Sequence, residues 1–119
     1  MRIFTRIVLV CACINATVVA HSQILTTKER EDLIGSAIQS CFATQRPDPI
    51  NSNISDDQIR RYCSCFARTV FRTNVTKQDI VRATDALQSG GEQAMLRSLL
   101  GGRDLYKITN SCAEEATQR

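Results

Sequence analysis

The chain reads as an all-α fold, a small bundle of four to five helices stapled by disulfides. Three observations predict it. Thr or Ser N-caps recur ahead of apolar residues spaced three and four apart. No stretch beyond residue 22 alternates with the period of a strand. Four cysteines, Cys41, Cys63, Cys65 and Cys112, fall on those helical patterns rather than in loops.

Thr26-Thr27-Lys28-Glu29 has the form of a capping box, in which Thr26 accepts from the backbone and Glu29 reaches back. Leu33, Ile34, Ala37, Ile38, Cys41 and Phe42 then recur on one helical face. Residues 43–54 hold Pro47, Pro49 and several Asn, Asp and Ser, the composition of a loop. Ser55-Asp56-Asp57-Gln58 is a second capping box, with two aspartates at the positive end of the helix dipole. The second helix is predicted to run to about Thr73, with Ile59, Tyr62, Cys63, Phe66 and Val70 inward. Thr76 caps a third helix carrying Ile80, Thr84 and Leu87, which Ser89-Gly90-Gly91 stops. A short fourth runs from about Glu92 to Leu100 and ends at Gly101-Gly102. The last begins near Arg103 or Asp104 and presents Leu105, Ile108, Cys112 and Ala116 on one face. Asn53-Ile54-Ser55 and Asn74-Val75-Thr76 match the glycosylation sequon, but both overlap N-caps, which explains these residue types better.

The first 22 residues read as a separate segment. Arg2 and Arg6 precede an uncharged run from Ile7 to Ala20 that is short of the ~20 apolar residues a membrane span needs. A basic start, a short apolar stretch and a small-residue exit describe a secretory signal peptide, cleaved after Ser22 or after Ala20. Val10-Cys11-Ala12-Cys13 also has the look of a lipidation site, but the apolar stretch from Arg6 to Cys13 is too short for one. What remains, 23–119, is one domain with no membrane span. Its 13 basic and 12 acidic residues leave a charge near +1, which gives no drive toward nucleic acid.

Export exposes the four remaining thiols to oxidising conditions, where they form two disulfides. Cys63 and Cys65 are two residues apart on a helix, about 200° of rotation, so their side chains diverge and cannot join each other without breaking it. Each therefore reaches a different helix, and the second helix becomes a hub between the first and the last. Two pairings satisfy this: Cys41–Cys63 with Cys65–Cys112, or Cys41–Cys65 with Cys63–Cys112. Cys112 sits mid-stripe like Cys63, which favours the second.

The chemistry of a catalyst is missing. The carboxylates are scattered rather than paired, there is no phosphate loop or nucleophile elbow, and the lone His21 departs with the signal. No cofactor is implied. The cysteine spacings, with 21, 1 and 46 residues between successive cysteines, are not those of a zinc module, so no metal site is assigned. A thiol–disulfide exchanger using Cys63 and Cys65 is the alternative function, though redox pairs sit at helix N-termini and these lie two turns in. Arg61, Arg68 and Arg72 share one side of the second helix and form a candidate basic stripe for an acidic partner. A solvated helix face explains the same three residues, with Asp57 four residues before Arg61.

From Cys41 to Cys112 the chain resembles small exported bacterial Cys-rich helical proteins, which carry a lone Cys, then Tyr-Cys-x-Cys on a helix, a Thr-capped helix and a last Cys. Here those are Cys41, Tyr62-Cys63-Ser64-Cys65, Thr76 and Cys112. The resemblance implies a helical, disulfide-bonded protein of the periplasm or exterior, and it carries no activity or catalytic residue with it. The expectation is a periplasmic or secreted, non-catalytic interaction module whose partner is another protein or an envelope component.

Overall fold

The computed structural model describes residues 23–118. The signal segment 1–22, with Cys11, Cys13, His21 and both cleavage sites, lies outside the described residues. Among the described residues four α-helices follow one another: α1 Thr27–Gln45, α2 Asp56–Val70, α3 Lys77–Leu100 and α4 Leu105–Thr117, with a 3-10 turn at Pro49–Asn51. Among the described residues there is no strand, only an isolated bridge between Ile24 and Thr76.

All three predicted capping boxes form. Thr26, Ser55 and Thr76 each accept from the backbone N–H three residues on, and Glu29, Gln58 and Asp79 each return a bond to the cap's own N–H. Asp104 caps α4 by accepting from the N–H groups of Tyr106 and Lys107. Three boundaries differ from expectation. First, α1 runs on to Gln45, because nothing in residues 43–45 breaks a helix before Pro47. Second, α2 ends at Val70 rather than Thr73, since Phe71 leaves helical geometry at φ −92°, ψ 69°. Third, the third and fourth predicted helices are one span, α3, with a kink at the expected break. Gly91 has φ +78° and ψ −170°, a conformation open only to glycine. Gly90 is needed for a different reason: a Cβ there would lie 2.7 Å from the Cβ of Ala94.

The helices assemble around α2. On one flank, Arg60 lies 4.9 Å from the Phe42 ring, Cys63 is bonded to Cys41, and Phe71 O accepts from Arg30 at 2.6 Å. Positions on α2 rise while those on α1 fall, so α1 is antiparallel to it. On the other flank, Arg61 reaches Gln118 O, Cys65 is bonded to Cys112, and Thr69 O accepts from Arg103. So α4 is antiparallel to α2 as well. Residues 61, 65 and 69 are successive i, i+4 neighbours, which is why all three meet α4 or the residues flanking its ends.

α3 closes the C-terminal end of α2. Val70, Ala83, Leu99 and Leu100 are buried together, with Phe66, Phe71, Ile80 and Met95 packed against them. The kink at Gly91 turns the chain so that Ala83 and Leu99, which lie on either side of it, share this cluster. At the start of the domain, Leu25 donates to Val75 O and Lys77 donates to Gln23 O, pinning the entry of α1 to the entry of α3 over buried Val75.

Candidate functional site

Cys41–Cys63 and Cys65–Cys112 are the disulfides, with Cα–Cα separations of 5.6 and 5.5 Å. The divergence of Cys63 and Cys65 is as expected, and α2 is the hub. The favoured pairing, Cys41–Cys65 with Cys63–Cys112, is the wrong one. Cys63 and Cys112 are both buried, at 0 % and 1 % exposure, yet they lie on opposite flanks. Shared burial did not decide the pairing. What decides it is the flank that each neighbour occupies, and α4 is held to the Cys65 side by Arg61 and Thr69 as well as by sulfur.

The three arginines of the candidate stripe are each engaged within the protein. Arg61 pairs with Asp57 at 3.6 Å and donates to Gln118 O. Arg68 meets Glu31 of α1 through two bonds, 3.1 and 3.4 Å. Both members of that pair are about half exposed, so it is worth at most about 1 kcal/mol. Arg72 turns away to donate to Leu99 O at 2.9 Å. The stripe therefore divides among three partners on three elements.

Above α2, between α1 on one side and α3 with the start of α4 on the other, lies a groove that the helical stripes did not foretell. Its main chamber holds about 480 Å3, a size typical of ligand sites between helices. Tyr62 and Phe66 form its floor, with rings stacked at 6.2 Å. Leu33 and Ala37 of α1, and Met95 and Leu96 of α3, line its sides. A second chamber of about 310 Å3 shares Gln45, Tyr62 and Thr109 with the first and continues the groove over Ile59 toward Ala116. Leu33, Ala37, Tyr62, Phe66 and Met95 are only half buried for this reason. Burial raises the pKa of the Tyr62 phenol above its ordinary value, so it stays a neutral hydroxyl on an apolar floor. The rim is polar but mostly uncharged, with Ser36, Ser40 and Thr44 on α1 and Glu92 on α3. From Leu33 to Gln45 the α1 wall is about 18 Å long at 1.5 Å per residue.

Sequence reasoning missed the groove, and it missed a set of arginines that serve helix ends. Arg46 donates to Ile54 O and Asn51 O and pairs with Asp56 at 2.7 Å, which folds the 47–54 loop back on α1. Arg30 takes Phe71 O, and Arg103 takes Thr69 O, Val70 O and Leu100 O. Arginine immediately after a Gly-Gly helix stop, as at Arg103, was the one readable sign. The last carbonyls of a helix lack partners, and a basic group near them is favoured.

Among the described residues no group of three or more His, Cys, Asp or Glu could hold a metal. Nor is any helix there long and apolar enough to cross a membrane. Two disulfides between helices point to an oxidising environment outside the cytoplasm. The chain matches no family model, no curated protein and no solved structure. Its own geometry is what bears on function.

Proposed function

We propose that this is an exported, non-catalytic binding module, periplasmic or secreted, which receives an apolar-faced helix of another protein in the groove over α2, between α1 and the side formed by α3 and α4. The groove carries this reading: it is lined mostly by apolar side chains and holds about 480 Å3 in its main chamber. The α1 wall, about 18 Å long, matches roughly three turns of an incoming helix. Sulfur ties α1 and α4 to α2, and packing holds the α3 side, so much of the groove is held in shape before a partner arrives, which lowers the ordering cost of binding. The mostly uncharged rim suits a partner recognised by packing rather than by long-range charge.

The disulfides and the signal-like start at Arg2–Ala20 support that compartment. No observation favours thiol exchange. Cys63 and Cys65 do not face each other, and the Cys63 sulfur is fully enclosed.

The test presents the oxidised protein and its Ala37→Glu variant, immobilised in parallel, to envelope and secreted proteins from its source. A partner held by the wild type and bound at least about tenfold more weakly by Ala37→Glu, a loss of about 1.4 kcal/mol, supports the reading. Disulfide mapping of the variant controls for its fold. Equal retention by both proteins, or retention by neither, overturns it.

A further inference from the structure

Arg72 and Arg103 meet where the C-termini of α2 and α3 converge. Arg72 Nη1 donates to Leu99 O at 2.9 Å. Arg103 Nε donates to the next carbonyl, Leu100 O, at 3.0 Å, and its Nη1 donates to Thr69 O at 2.6 Å. Both residues are half buried. Neither has a carboxylate within ion-pair distance among the described residues, although Arg30, Arg46, Arg61 and Arg68 all do. Asp104 is adjacent in sequence, but its carboxylate is taken by the N–H groups of Tyr106 and Lys107.

Charge can be counted at this junction. Each helix C-terminus offers roughly half a negative charge. Two such ends offset about one of the two guanidinium charges, and about one positive charge is left without a partner. Burial, and after it the charge of Arg72, pulls the pKa of Arg103 below its ordinary value, which agrees with a like-charged neighbour and no nearby acid. Donors are also left over. A guanidinium carries five N–H groups; Arg72 commits one nitrogen, Nη1, to a carbonyl, while Arg103 commits one N–H of each of its three nitrogens and keeps the second N–H of Nη1 and of Nη2.

We propose that Arg72 and Arg103 form an oxyanion site that takes a phosphate or carboxylate group through the N–H groups the helix ends leave free. Paired guanidiniums bind such groups by two parallel N–H···O bonds, and a lysine cannot reproduce that fork. The site is separate from the proposed groove function and stands or falls without it.

The experiment titrates inorganic phosphate into the full oxidised protein at constant ionic strength while following the arginine Nε–H resonances by NMR. Saturable shifts confined to Arg72 and Arg103, with about tenfold weaker binding in Arg72→Gln, are expected from the loss of one charge-assisted pair. Arg72→Lys keeps the charge but not the fork, and should bind several-fold more weakly than wild type. Arg61→Gln should bind as wild type does. A parallel acetate titration separates the sources: saturation by both anions marks a general oxyanion site, and saturation by phosphate alone restricts it to phosphoryl groups. Uniform small shifts at all arginines, absence of saturation, or unchanged binding by Arg72→Gln overturns the proposal. Should Arg72→Gln fail to fold, Arg72→Lys and the wild-type shift pattern still decide the matter.

Discussion

The layer of α1, α2 and α4 differs from α3 in how it is held. Each helix of the layer is joined to α2 by a sulfur bridge, and each bridge has polar bonds on either side of it. α3 has no covalent tie. Buried Ala83, Leu99 and Leu100 hold it, together with the grip of Arg72 on Leu99 O and of Arg103 on Leu100 O. The core beneath is small: among the described residues eleven apolar ones are buried, three of them alanines and two of them bridged cysteines. A chain of this size gains little margin from packing alone. Covalent ties hold α1 and α4 beside the groove, and ordinary packing holds α3, whose Met95 and Leu96 line the rest of it.

The contrast breaks most completely on reduction. The bridges close loops with separations of 22 and 47 residues. In the chain-entropy picture they contribute about 3.4 and about 4 kcal/mol, a sum comparable to the whole stability of a small domain. Reduction of both should unfold the protein at 25 °C, seen as loss of helical circular dichroism. Removing the pairs singly, by Cys41→Ser with Cys63→Ser or Cys65→Ser with Cys112→Ser, should leave folded protein with lower urea midpoints, lowest for the 65–112 pair. Full helicity in the reduced state would mean that packing alone builds the layer.

Truncating the α3 end sharpens the comparison from the other side. Leu100 is 2 % exposed, and Leu100→Ala should cost about 2–5 kcal/mol through lost burial and the cavity left behind. The damage should be local. Amide exchange in α3 should speed up more than in α2, whose flanks remain tied by sulfur. Equal acceleration across all four helices would show that α3 and the layer unfold as one unit.

Sequence carried the helices and their caps well, because capping boxes and Gly-Gly stops act within three or four residues. It also carried the divergence of Cys63 and Cys65, which follows from helical rotation alone. It could not carry the pairing, because the choice depends on which flank of α2 each helix occupies. That choice is settled by long-range bonds such as Arg103 to Thr69 O, 34 residues apart. The groove was hidden for a related reason. Leu33, Ala37, Tyr62 and Phe66 have the spacing of core residues, and periodicity cannot tell a stripe that packs from a stripe that lines an opening. The basic stripe failed to stay together for the same cause: Arg61, Arg68 and Arg72 share a helix face, but their tips go to α4, α1 and α3.

The smallest effect concerns the seam between the two regions. Glu29 belongs to the cap of α1, and Thr26 lowers its pKa from 4.5, first through the side-chain bond and then through the backbone bond. Desolvation opposes this slightly, and Lys77 at the entry of α3 adds a weaker pull in the same direction. A carboxylate with a lowered folded pKa stabilises the native state at pH above its unfolded value, and that contribution is lost as pH falls through the folded value. Acid below pH 4.5 should therefore fray the first turn of α1 before it disturbs α2. The observable is the resonance of the Thr26 amide, whose N–H donates to Glu29 Oε1 at 3.3 Å and should move with the Glu29 titration. Glu29→Gln keeps an acceptor but not the charge, so it should hold the cap and abolish that pH dependence. A Thr26 amide that titrates equally in Glu29→Gln would show that the seam responds to some other acid, and that α1 and α3 are coupled there by more than this box.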